Sequence, residues 1–178
     1  VISEYYALKK DEIKNGHQVE VNFAKQSVMI DGALLTGKID KVIEGEEQCW
    51  TVVDLKTGKG FSDWDESGQS VYDEIKLHHY RYQLMMYKIL VENSRDYHTH
   101  IVERGILEFT EEVVNNKIQE LSLSFDTKEM KEELERFKKL VVTVYTKIST
   151  LDFPDTSKYE ESLDGIKEFE DDLIAGRI

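Results

Sequence analysis

The sequence predicts an α/β domain: a central mixed β-sheet, made of an antiparallel meander plus further strands, flanked by helices. Three observations carry that expectation. The first 60 residues break into short stretches of alternating apolar side chains separated by tight-turn residues. Two later stretches place apolar side chains at helical spacing. No internal repeat or Pro/Gly-rich linker divides the 178 residues, a length that suits one core, so residues 1–178 read as a single domain.

The elements follow in order. Residues 3–15 read as a short amphipathic helix ended by Asn15-Gly16. Loose alternation through Val19, Val21 and Phe23 predicts a strand from His17 to Met29. Asp31-Gly32 is a tight-turn signal, and Ala33 to Ile43 is the partner strand of that hairpin. After a turn at Glu44 to Glu47, a third strand runs from Cys49 to Lys56 and exits through Thr57-Gly58-Lys59-Gly60. Residues 61–73 are polar, acidic and unpatterned, which predicts a mobile loop. A helix over Glu74–Asn93 places Leu77, Tyr80, Leu84, Tyr87 and Leu90 at helical spacing. His98–Phe109 and Lys117–Phe125 are the further strands. Asp126 or Thr127 caps a long helix that ends near Thr150, and an acidic helix over Leu163–Ala175 follows Pro154.

Composition narrows the function classes. No run approaches the ~18 to 20 consecutive apolar residues that span a bilayer, and the start lacks the layout of a secretion signal. No initiator Met is present, which predicts a piece of a longer chain. A single cysteine, Cys49, excludes an internal disulfide and a cysteine-based zinc or iron–sulfur site, and cytoplasmic residence is the default expectation. The net charge of −13 opposes unaided DNA binding, which usually relies on a basic face. The acid is unevenly spread: residues 1–60 carry a net −2, residues 61–110 a net −4 and residues 111–178 a net −7. A domain that receives DNA from an attached neighbour tolerates this charge better than a free-standing binder.

Two neighbouring strands end in distinctive clusters. One reads Leu35-Thr36-Gly37-Lys38-Ile39-Asp40-Lys41, the other Val52-Val53-Asp54-Leu55-Lys56-Thr57-Gly58. Alternation points Asp54 and Lys56 to one side and assigns Val53 and Leu55 to the core side. The turn at residues 44–48 can bring Asp40 beside Asp54. Two carboxylates and a lysine at one point suit phosphodiester hydrolysis. Hard cations such as Mg²⁺ or Mn²⁺ prefer oxygen ligands, so Asp40 and Asp54 are candidate metal ligands with the Leu55 carbonyl as a third oxygen. Lys56 is the candidate catalytic ammonium, placed to hold water or to counter charge on the phosphate.

The ordered set Gly37-x-Ile39-Asp40, Val53-Asp54-x-Lys56-Thr57-Gly58 and Gln83-x-x-x-Tyr87 resembles the RecB-like branch of the PD-(D/E)XK nuclease superfamily. The resemblance covers residues 33–90 well. Leu151-Asp152-Phe153-Pro154 with an acidic helix after it is similar to the nuclease-like C-terminal domains of UvrD/Rep-type (superfamily one) helicases. It implies a restriction-endonuclease-like core and an Mg²⁺- or Mn²⁺-dependent deoxyribonuclease. Asp40 and Asp54 would carry the metal and Lys56 the catalysis, with Gln83 and Tyr87 supporting the site's edge and Thr57 and Lys59 beside the DNA. Gln83 would bond the Lys56 to Gly58 backbone or a DNA phosphate. The implied partners are single-stranded DNA and the helicase domains of the same chain, in DNA repair or recombination. The alternative is a catalytically silent module that binds DNA or a protein partner and braces the helicase. The sequence departs from the branch twice. No upstream histidine plainly completes the metal site, leaving Glu4, Glu12, His17 and Glu20 as candidates by location, and the four-cysteine cluster of many relatives is absent.

Other tempting residues have plainer readings. His78 and His79 diverge by about 100° on a helix, so they read as surface or packing residues. His98-x-His100 on a strand lacks a third ligand. Tyr80, Tyr82 and Tyr87 read as core and rim aromatics, one of which could stack on an unpaired base. Trp64 reads as a stray aromatic available to a partner.

Overall fold

The computed structural model describes residues 2–10, 17–65 and 69–178. Its elements are α1 (Ile2–Lys9), β1 (His17–Asn22), β2 (Val28–Ile30), β3 (Ala33–Leu35), β4 (Lys38–Glu44), β5 (Cys49–Lys56), α2 (Val71–Glu92), β6 (Ile101–Val114), β7 (Lys117–Ser124), α3 (Lys128–Thr150) and α4 (Leu163–Ile174). Five strands form one sheet in the order β1-β4-β5-β6-β7. The pairs β1/β4, β4/β5 and β6/β7 are antiparallel, whereas β5/β6 is parallel. A parallel pair needs a long crossover, and α2 supplies it. The sheet is therefore mixed, as the sequence predicts, and helices flank it.

The first hairpin is divided. The chain leaves the sheet after Asn22, turns through a Gln26 N–H to Phe23 carbonyl bond of 3.0 Å, and takes up a left-handed conformation at Ser27. A separate ribbon of β2 and β3 follows, closed by the expected Asp31-Gly32 turn. One strand from His17 to Met29 is thus corrected to two, because Phe23 and Val28 both enter the core and the backbone between them must bend.

Helix boundaries follow local capping. Ser70 caps α2 by accepting from the Asp73 N–H at 3.2 Å, so the helix starts three residues before the expected Glu74. Thr127 is the cap of α3, accepting from Met130 N–H at 3.1 Å. Of the loop predicted over 61–73, residues 66–68 lie outside the described residues, and its start is anchored: Phe61 is buried, and the Trp64 indole N–H donates to the Ser122 carbonyl at 2.8 Å. The end of the first predicted helix, residues 11–15, lies outside the described residues.

The core lies between the sheet and α2, with Val52, Leu107 and Phe109 against Leu84 and Met85, and continues under α3 through Leu134 and Phe137. Burying such side chains contributes roughly 1.5–3 kcal/mol each. α2 passes very close to the sheet: a Cβ at Gly37 would meet Leu90 Cδ1 at 2.6 Å, so the motif glycine is the space that admits the helix. The opposite face of the sheet receives α1, whose Tyr5 and Lys9 reach Glu108 of β6. Among the described residues no helix is long and apolar enough to cross a membrane.

Candidate active site

The ladder between β4 and β5 runs from Glu44 and Trp50 to Lys41 and Val53. Beyond it the Leu55 N–H is taken by the Asp40 carboxylate, which accepts it at 3.0 Å. Asp40 is thereby tied to the end of β5, beside Asp54. Asp54 and Lys56 share one face, as alternation requires, but that face is the one α2 covers. Asp54 is 3% exposed, whereas Leu55 is 40% exposed. The expectation that Val53 and Leu55 share the core side is corrected: Val53 is buried on the far face, and Leu55 lies past the end of that cover.

Burial of a carboxylate is costly without partners, and α2 provides them. Asp54 Oδ1 accepts from the Tyr87 hydroxyl at 2.6 Å and from Gln83 Nε2 at 2.6 Å. Gln83 Nε2 also donates to the Tyr87 oxygen at 3.0 Å, and its Oε1 accepts from Lys56 Nζ at 2.6 Å. This amide orientation is fixed by charge, since reversing it would set an NH₂ against an ammonium and an oxygen against a carboxylate. Of the two partners expected for Gln83, the backbone of residues 56–58 or a DNA phosphate, the first is corrected: Gln83 bonds the Lys56 side chain instead. The Tyr87 hydroxyl is pushed well above its usual range, first by burial and then by the Asp54 carboxylate it serves.

The second oxygen of Asp54 differs. Oδ2 is buried without a hydrogen bond, and its contact with Lys56 Nζ at 2.7 Å is an ion pair whose geometry falls short of one. Lys56 also stands over the Tyr80 ring, 4.4 Å from its centroid. Tyr80 meets Phe61 and Phe109 edge-on or tilted at 6.2 and 6.4 Å, giving the ammonium an aromatic wall. A buried carboxylate oxygen with spare acceptor capacity, beside a second carboxylate on the adjacent strand, is chemistry that fits a hard divalent cation. Asp40, Asp54 and the Leu55 carbonyl are the residues that could hold it.

The upstream candidates do not converge on that point. Glu20 pairs with Lys38 at 3.1 Å, His17 stands opposite Ile43 at the other end of β1, Glu4 is exposed, and Glu12 lies outside the described residues. Among the described residues no third His, Cys, Asp or Glu joins Asp40 and Asp54. Thr57 is exposed at the strand exit. Lys59 forms an ion pair with Asp73 at 3.1 Å.

The family model of the PD-(D/E)XK nuclease superfamily matches residues 2–160, which include every residue of this cluster. The chain belongs to that superfamily. Its members generally hydrolyse phosphodiester bonds and typically use divalent metals, and the PD-(D/E)XK core here carries the five-stranded mixed sheet with its helices. A search of the solved structures finds "Crystal structure of SSO0001", with 17% identity, a TM-score of 0.40, and coverage of 79% of this chain and 57% of that one. The chain thus spans less than two thirds of that protein. No curated protein matches the chain.

The remaining sequence candidates fall outside the cluster. His78 is buried, with Nε2 3.1 Å from Glu170 Oε1. Tyr82 donates to Glu170 Oε2 at 2.7 Å, and Arg136 donates to the same carboxylate at 3.1 Å. These bonds clamp α4 onto α2 and α3. His98 and His100 precede β6 in a turn rather than on a strand, with each Nδ1 facing a backbone carbonyl. What sequence reasoning missed is the Tyr80 face under Lys56; its signal was present, because Tyr80 stands three residues before Gln83 on the same helix face.

Proposed function

We propose that this chain is a metal-dependent DNA nuclease domain of the RecB-like branch, in which Asp40 and Asp54 hold Mg²⁺ or Mn²⁺ and Lys56 is the catalytic ammonium. One observation carries the reading: a buried Asp54 oxygen without a hydrogen bond, flanked by Lys56 and by a second carboxylate one strand away. A divalent ion supplies Lewis acidity to the scissile phosphate and acidifies the attacking water. The protein's own groups do the rest. The Tyr87 hydroxyl and Gln83 amide fix Oδ1, so Oδ2 is presented in one orientation. Gln83 Oε1 and the Tyr80 ring hold the Lys56 ammonium where it can donate to water or to charge developing on the phosphate. The Leu55 carbonyl adds an oxygen, and Thr57 and Lys59 flank the exit toward DNA.

The net charge of −13 supports a domain supplied with substrate by a neighbour. In this reading the substrate is single-stranded DNA, delivered by UvrD/Rep-type helicase domains of the same cytoplasmic chain during repair or recombination.

Two measurements test the assignment. Mn²⁺ should raise the melting temperature, by the equivalent of about 2.7 kcal/mol at a hundredfold excess over Kd, and Asp40→Asn should abolish the rise. Cleavage of single-stranded DNA should vanish in Asp54→Ala and in Lys56→Ala while both remain folded. Cleavage persisting in either purified variant removes these roles. A metal response without cleavage in the wild-type chain would point instead to the silent DNA-binding module.

A further inference from the structure

The site occupies only one end of a longer stripe on α2. Tyr72, Lys76, Tyr80, Gln83 and Tyr87 follow one another at spacings of three or four residues, so they share one face of the helix. Exposure falls along it: Tyr72 is 71% exposed, Lys76 and Tyr80 are half-buried, and Tyr87 is buried against Asp54. Tyr72 and Tyr80 are eight residues apart, about 12 Å along the axis. The stripe therefore leads from solvent to the reaction centre.

Its chemistry is unusual for so acidic a chain. No carboxylate interrupts the stripe. Lys76 Nζ lies 5.8 Å from the Tyr72 ring centroid, 5.7 Å from Phe61 and 5.7 Å from Tyr80. It makes no ion pair with the described residues, so its charge is left to the three rings and solvent. The nearby Asp73 carboxyl is held below its ordinary value chiefly by its hydrogen bond from Lys59, and Lys76 adds to the effect. That carboxylate is already matched. Lys59 in turn lies 5.6 Å from the Phe61 ring. Cations interleaved with aromatic faces suit an unpaired nucleotide, whose phosphate takes the ammonium and whose base stacks on a ring. A duplex offers no free base face to Tyr72.

We propose that Tyr72 and Lys76, backed by Phe61 and Tyr80, form a subsite for a nucleotide adjoining the cut in single-stranded DNA. The subsite rests on the reading of the neighbouring centre as a DNA nuclease, and it names the residues that would hold the single strand beside that centre. The Lys76 ammonium meets the phosphate and the exposed Tyr72 ring stacks on the base.

The test is binding of a fluorescent twelve-residue oligo-dT, read by anisotropy in Ca²⁺. Tyr72→Ala should weaken binding about tenfold, and Tyr72→Phe should restore it. Lys76→Gln should weaken binding and lower the slope of log K against log salt by about 0.7. A blunt duplex of the same length should be insensitive to Tyr72→Ala. Unchanged oligo-dT affinity in Tyr72→Ala, with a wild-type melting temperature, overturns the subsite. So does an equal loss on single strand and duplex. Because no cleavage is required, the two readings fail separately: Tyr72-dependent binding in a chain that never cuts DNA sinks the nuclease alone, while robust cutting with Tyr72-independent binding sinks the subsite alone.

Discussion

Asp54 and Glu108 are buried carboxylates on neighbouring strands, each served by a tyrosine hydroxyl and a lysine, and they end in opposite states. On the face away from α2, both Glu108 oxygens are occupied. Oε1 meets Lys41 at 2.8 Å and Lys9 at 3.3 Å, and Oε2 accepts from the Tyr5 hydroxyl at 2.6 Å. On the α2 face, Asp54 spends both its neutral donors on Oδ1 and leaves Oδ2 without a hydrogen bond. Saturation makes the first cluster a fastener for α1. At the second, Oδ2 has only its ion pair with Lys56, and this is the oxygen we propose for the metal. Burial of charge alone does not tell the two apart; the count of donors on each oxygen does.

Stability separates the clusters most sharply. Glu108→Ala should cost about 3–5 kcal/mol in urea unfolding, since it strands two lysines beneath the sheet. Asp54→Asn should cost less, about 1–3 kcal/mol, because the amide oxygen still accepts from Tyr87 although the amide nitrogen now faces Lys56. Equal losses would erase the distinction. Next in size is Tyr87→Phe. Losing one of two donors to Oδ1 should slow cleavage of single-stranded DNA about tenfold, or roughly 1.4 kcal/mol, with Gln83 retaining the rest. A wild-type rate would show that Oδ1 needs no fixing.

The smallest effect concerns pH. Burial pushes the Glu108 carboxyl up, but the bonds from Lys41 and Tyr5 outweigh it and hold the group below its ordinary 4.5. A depressed acid stabilises the fold above its unfolded value and loses that contribution as pH falls through the lowered one. Wild-type melting temperature should therefore fall progressively below pH 4.5, and Glu108→Gln should show a shallower fall over the same window. Parallel curves would place the acid sensitivity elsewhere.

Much of the site was legible. Alternation put Asp54 and Lys56 on one face, turn length put Asp40 alongside, and helical spacing paired Gln83 with Tyr87. What alternation cannot say is which face a later helix will cover, so Leu55 was placed inward and emerges outward. The break after Asn22 was hidden because Val21, Phe23 and Val28 all carry core side chains on either side of the bend. The start of α2 was available in Ser70-x-x-Asp73 but was outweighed by the acidic composition around it. The acidic helix expected over Leu163–Ala175 is α4, but its charge pattern does not show its packing: Glu170 is buried against His78, Tyr82 and Arg136, and Asp172 against Lys158, Tyr159 and Arg177. A sequence shows charges; only the packed helices show their counter-charges.

The close seating of Leu90 against Gly37 sets the phase of α2. A single residue inserted after Tyr82 would turn everything beyond it by about 100° and advance it by about 1.5 Å. His78 and Tyr82 would keep their grip on Glu170 while Tyr87 swung away from Asp54 and Leu90 from its glycine. Changes of length in this helix are thus barred by three simultaneous fittings. Insertions that evolution or an engineer wishes to make between the two parallel strands belong ahead of the Ser70 cap.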